Sequence, residues 1–130
     1  MADRAVVAKW LQKADEDLGF AASSLDDELE FYPQICFHLH QAAEKYLKAY
    51  IVRHGLELKK THDLMELFEL CSVSAPQLKD LKESCVFLNR FYIATRYPVH
   101  WDSTFTRDDA MRALEAARHI ADRKKPMTIS

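Results

Sequence analysis

Glycine is nearly missing from this sequence: Gly19 and Gly55 are the only two among 130 residues, and only four prolines accompany them. Tight sheet turns draw on these residues, so their scarcity argues against hairpins and for long helices. Isolated glycines also exclude a P-loop and a dinucleotide-binding fingerprint, which need several at fixed spacing. The three cysteines, Cys36, Cys71 and Cys85, stand far apart with no C-x-x-C pair. Each lies in an apolar segment and is expected to be a reduced core thiol, as in a cytosolic protein. No apolar run approaches the roughly 20 residues of a spanning helix, and the charged start MADRAVVAKW lacks a signal-peptide core. A soluble, cytoplasmic protein is the expectation. Strong net charge is lacking too: the formal value of -2 gives no global attraction to nucleic acid.

The chain does have enough apolar residues, 48%, to bury a core and enough charged ones, 29%, to stay soluble. Residues 1–130 are read as one domain, with 124–130 a flexible tail. Charge is segregated along it. From Met1 to Tyr32 eight acids (Asp3, Asp15, Glu16, Asp17, Asp26, Asp27, Glu28, Glu30) face three bases (Arg4, Lys9, Lys13). From Pro33 to Asp63 the bases Lys45, Lys48, Arg53, Lys59 and Lys60 outnumber Glu44, Glu57 and Asp63.

Hydrophobic spacing predicts five helices. The first spans Arg4 to Leu25 on a stripe of Val7, Leu11, Ala14, Leu18, Ala21 and Leu25. The second runs from Pro33 to about His54, with Gly55 as its stop and Ile35, Leu39, Ala42, Ala43, Tyr46, Leu47 and Tyr50 inward. Thr61 is read as the cap of a third helix carrying Leu64, Leu67, Phe68 and Cys71. Ser74 and Gln77 form a capping-box pattern that opens a fourth, on Leu78, Leu81, Cys85, Leu88 and Tyr92, and Pro98 predicts its end near Arg96. Thr106, followed by Asp108 and Asp109, caps a fifth helix with Ala110, Leu114, Ala117 and Ala121 on one side. Short connections favour antiparallel neighbours, so the fold class is all-α, an up-and-down bundle of about five helices.

Several strings then carry a family resemblance. They are W-x3-A-x2-D-L-x2-A from Trp10, F-H-L-H-Q-A-A-E-K-Y-L-K-A from Phe37 to Ala49, K-T-H-D-L from Lys60, L-N-x2-Y from Leu88, and R-Y-P at Arg96 to Pro98. In this order, over nearly the whole chain, the sequence resembles the HEPN family. The resemblance implies a helical bundle, commonly a homodimer, often paired with a minimal nucleotidyltransferase in a prokaryotic toxin-antitoxin-type module. It also implies interaction with nucleotide or RNA, and in many members metal-independent endoribonuclease activity. That activity uses an arginine and a histidine separated by four to six residues, meeting across the dimer. Here Arg96 and His100 enclose Tyr97, Pro98 and Val99, one residue fewer.

The candidate chemistry needs no cofactor. His100, with an ordinary pKa of roughly 6.5, suits proton transfer at a ribose hydroxyl, and the Arg96 guanidinium suits a charged phosphorane. Asn89, two helical turns before Arg96, is the candidate orienting group. The alternative is that Arg96 caps its helix and His100 sits in solvent. His38, Gln41, Lys45 and Lys48 share one side of the second helix and form a candidate rim for nucleotide or RNA, or an ordinary solvated face. Tyr97 and Trp101 are candidates to stack a base, or to bury a protein interface. His40 and Glu44, one turn apart, are expected to pair. His62 is read as fixing the turn into the third helix. No metal site is expected, because His38 and His40 diverge on a helix and no H-E-x-x-H motif or cysteine cluster completes a ligand set. Two functions stay in play: an interaction module, and a ribonuclease.

Overall fold

The apolar stripes settle as helices packed about a central one. In the computed structural model, residues 4–94 and 105–123 are described, with the backbone alone for residues 93 and 94. The order is α1 (Arg4–Asp26), α2 (Tyr32–Arg53), α3 (Leu64–Ser74), a 3-10 segment (Pro76–Leu81), α4 (Lys82–Ala94) and α5 (Arg107–Ala121). Consecutive helices pack on one another, and α2 also meets α4 and α5. The result is an all-α bundle with α2 at its axis. From Leu39 to Ile51 every α2 residue except Gln41 and Lys45 is buried, as expected of a helix with neighbours on several sides. The predicted α1, α2, α3 and α5 stripes are buried, apart from a partly buried Leu18. Each fully buried leucine or isoleucine contributes roughly 1.5–3 kcal/mol.

Helix ends show how local chemistry sets the chain's course. Gly55, at φ 66°, closes α2 in a Schellman motif, with Leu56 N–H donating to Ile51 O and Gly55 N–H to Val52 O. Glu28 adopts the same left-handed geometry (φ 58°) after α1, with Leu29 N–H donating to Ser24 O. Thr106 caps α5, as the sequence predicts, and it exchanges side-chain and backbone bonds with Asp109 in a full capping box.

Two predicted starts are corrected. Asp63, not Thr61, caps α3: its carboxylate accepts from Met65 N–H at 2.9 Å, while Thr61 Oγ1 accepts from Asp63 N–H at 3.1 Å. A carboxylate nearer the first free amides displaces the hydroxyl. The Ser74 and Gln77 box does not form, because the Ser74 hydroxyl donates back to Cys71 O and the chain enters a 3-10 segment behind Ala75. The predicted end of the fourth helix near Arg96 and the tail 124–130 lie outside the described residues. No described helix is long and apolar enough to cross a membrane.

Candidate functional site

His40, Glu44 and Lys48 recur one turn apart on α2 and so line up along one side of it. All three are buried, at 3%, 4% and 8% exposure. Burying charge is costly unless it is paired, and here the pairing is complete for Glu44. One carboxylate oxygen takes the Lys48 ammonium at 2.9 Å and the other takes His62 Nδ1 at 2.9 Å. Lys48 Nζ also stands 5.7 Å from the centre of the Trp10 ring. The expected His40 and Glu44 pair is therefore corrected: Glu44 spends both oxygens on Lys48 and His62.

His40 is instead an aromatic neighbour. Its ring stacks on Tyr92 at 5.8 Å and 10°, and Tyr92 lies 6.3 Å from the His62 ring. Burial pushes the His40 pKa down to about 4, against the pull of Glu44, so the ring is neutral at pH 7. Its Nε2 is buried without a hydrogen-bond partner among the described residues. The His62 backbone and the Asn89 side chain pull the same way as Glu44, more weakly than burial pushes.

The turn that presents His62 is pinned from three sides. Asn89 donates from Nδ2 to Asp63 Oδ1 at 3.0 Å, and its Oδ1 accepts from Leu64 N–H at 3.0 Å. With the Thr61 and Asp63 bonds, this fixes the residues on both sides of His62, whose side chain remains 48% exposed. Asn89 thus orients the turn before α3, rather than only its own helix. Arg96 follows Ala94 by two positions in the chain; Arg96, His100, Tyr97 and Trp101 all lie outside the described residues.

The proposed rim on α2 divides. His38 Nδ1 and Lys45 Nζ both meet Asp17 of α1, at 3.0 and 2.6 Å, and His38 packs against the exposed Phe20 and Phe37. Gln41 is half-buried. Lys48 is not on an open rim at all, because α1 covers it through Trp10 and Glu44 holds its charge. Beside Lys45, the residues Ala5, Val6, Lys9, Trp10 and Lys13 line a shallow groove of about 480 Å³. Asp17 and Glu44, the two acids that organise these basic groups, were not among the candidates. The alignment of His40, Glu44 and Lys48 at four-residue steps was the available signal for the second.

Cys36, Cys71 and Cys85 are free and buried, as read from the sequence. Among the described residues no group of three or more histidine, cysteine or acidic side chains could hold a metal ion.

Known proteins extend these observations. The chain is similar to TT1696 from Thermus thermophilus, with 29% identity and a TM-score of 0.76 over 93% of this chain and 97% of that one. It is also similar to ST0689, an archaeal HEPN homologue, with 26% identity and a TM-score of 0.73 over 95% and 98% of the two chains. No curated protein matches significantly. The HEPN domain model matches residues 7–126, and on that match, together with the bundle just described, the chain belongs to the HEPN family.

Proposed function

We propose that this HEPN protein is an interaction module that works as a homodimer, engages RNA or a nucleotide, and pairs with a minimal nucleotidyltransferase in a toxin-antitoxin-type system. The observation that carries this reading is the buried line His40, Glu44, Lys48 with His62 and Asn89. Buried ionic groups are weak contributors to stability, since apolar residues of similar volume often do as well, so their presence argues for a task. The Trp10 groove flanked by Lys9, Lys13 and Lys45 offers an apolar wall beside cations, a combination suited to bases and phosphates. The exposed Phe20, Phe31 and Phe37 give apolar area for a protein contact.

The test combines size-exclusion chromatography with light scattering and an RNA-binding titration, repeated after co-expression with the neighbouring gene product. A dimer that binds RNA and retains the partner is expected. A monomer with neither association removes the reading.

A second reading, metal-independent RNA cleavage by Arg96 and His100, is favoured by one observation: Asn89 locks α4 to the α3 turn seven residues before Arg96. Cleavage of mixed RNA in chelator, lost in Arg96→Ala and His100→Ala, is its expected signature. Absent cleavage by the wild type, or activity unchanged from it in both variants, would remove it.

A further inference from the structure

We propose that two copies of this chain pair antiparallel through the outer face of α1 and α2, each laying its acidic turn between α1 and α2 on the basic Trp10 groove of the other. The pairing rests on the reading above that the chain works as a homodimer, and it names the surface and its geometry.

Two ridges build this face. On α1, Val6, Lys9, Lys13 and Phe20 recur at steps of three, four and seven residues and so share one side of the helix. On α2, the N-cap residue Phe31 lines up with His38 and Lys45 at steps of seven. Asp17 ties the ridges together by bonding both His38 and Lys45, and the Phe20 and His38 rings meet at 4.6 Å. Phe20 and Phe31 are 51% and 63% exposed, and Phe37 beside His38 is open as well. Large rings left in water along one seam mark a protein contact.

Charge on the face is sorted by position. One end carries Lys9, Lys13 and Lys45 around the Trp10 groove. The other carries Asp26, Asp27, Glu28 and Glu30, all exposed and without an ion pair among the described residues. A nucleic acid strand would suit the lysines but be repelled by these four acids. A second copy suits both ends.

Symmetry then selects the orientation. A two-fold axis makes a surface meet its own inverted copy, so the patch must complement itself. Laid parallel, two such faces would set lysines on lysines and acids on acids. Laid antiparallel, each basic end meets an acidic one, and Phe20 falls near the axis, since it follows Trp10 by ten positions and precedes Glu30 by ten. Phe31 of each copy is thereby brought toward the apolar wall of Val6 and Trp10 on the other. The area is adequate too. α1 has 23 residues and so is about 34 Å long, and two packed helices are about 20 Å across, giving a face on the order of 700 Å² against the roughly 800 Å² per partner of a stable complex.

The experiment measures self-association of the full chain by analytical ultracentrifugation over a dilution series. Two variants each reverse one end of the face: Lys9→Glu with Lys13→Glu, and Asp26→Lys with Asp27→Lys and Glu30→Lys. All five positions are exposed, so circular dichroism should show an unchanged fold. Each variant alone is expected to self-associate about tenfold or more weakly, because its two ends now carry one sign. An equimolar mixture should pair again, since the reversed groove of one meets the unreversed acids' replacement on the other, and the two native ends meet likewise. As an independent check, Phe20→Cys should be linked copy to copy by a short bismaleimide, while the wild type, with its three buried cysteines, is not. A wild-type dimer that neither reversal weakens, a mixture that stays monomeric, or a Phe20→Cys dimer that does not link overturns the surface while the homodimer reading stands. Intact dimerisation with lost binding of a mixed-sequence single-stranded RNA in Lys9→Glu with Lys13→Glu also overturns it, and gives the groove to nucleic acid. A wild type that is monomeric throughout defeats the parent reading instead.

Discussion

Asn89 on α4 and Asp63 at the start of α3 are joined by a 3.0 Å hydrogen bond, although they lie 26 residues apart in sequence. The amide oxygen of Asn89 accepts from Leu64 N–H, so one side chain satisfies a helix cap and a free amide together. Asn89→Leu would take the acceptor from Leu64 N–H in a half-buried place and leave Asp63 Oδ1 with Met65 N–H as its donor. A loss of about 2–3 kcal/mol is expected, read as a lower urea midpoint. A change under about 0.5 kcal/mol would show that the lock is dispensable.

Lys48 and Glu44 should behave as a coupled pair. Lys48→Met strands a carboxylate that is 5% exposed, with His62 as its remaining partner, and is expected to destabilise by about 3 kcal/mol. Adding Glu44→Gln to that variant should recover part of the loss, because the stranded charge is gone. Denaturation of the two singles and the double measures this directly, and strict additivity would contradict it.

Acid should weaken the fold through His40. Burial lowers its pKa to about 4, so the folded chain resists the charged form that the unfolded chain accepts near 6.5. Its contribution is therefore complete above the unfolded value and is lost as pH falls from there toward the folded one. The difference amounts to on the order of 3 kcal/mol. His40→Leu should flatten the fall in urea midpoint between those two pH values, whatever its stability at pH 7.

The three cysteines should be silent in the folded protein. Burial raises Cys36, Cys71 and Cys85 to about 12, with Asp109 adding to the effect at Cys36. Thiolate is the reactive species, so a disulfide reagent at pH 8 is expected to label none until denaturant opens the chain. Rapid native labelling of any of them would contradict the described core.

Glu28 occupies a left-handed position that favours glycine, with φ at 58°. Glu28→Gly is expected to raise stability by about 0.5–1 kcal/mol, despite glycine's greater freedom when unfolded. A calorimetric melting temperature checks it, and a decrease would show that the turn tolerates glutamate without strain.

The helices were legible because their causes are local. Apolar residues at three- and four-residue steps, Gly55 after α2 and Thr106 with Asp109 before α5 act within a turn or two of chain. The caps went wrong where two local candidates competed: Asp63 against Thr61, and a backward bond at Ser74 against a forward box. The candidate site was only partly legible. His40, Glu44, Lys48 and His62 were visible as residue types, but which of them pair was not.

By itself the sequence determined an all-helical bundle and, through its motifs, the family, since amphipathic spacing and helix-end chemistry are written in neighbouring positions. Only the tertiary structure decided that Glu44 joins Lys48 to His62, that Asp17 gathers His38 and Lys45, and that Lys48 is buried. The reason is physical: periodicity tells which face of a helix turns away from the apolar stripe, but not which other helix covers it. α1 lies over Lys48, α4 reaches the α3 turn through Asn89, and the fate of each charge follows from those contacts.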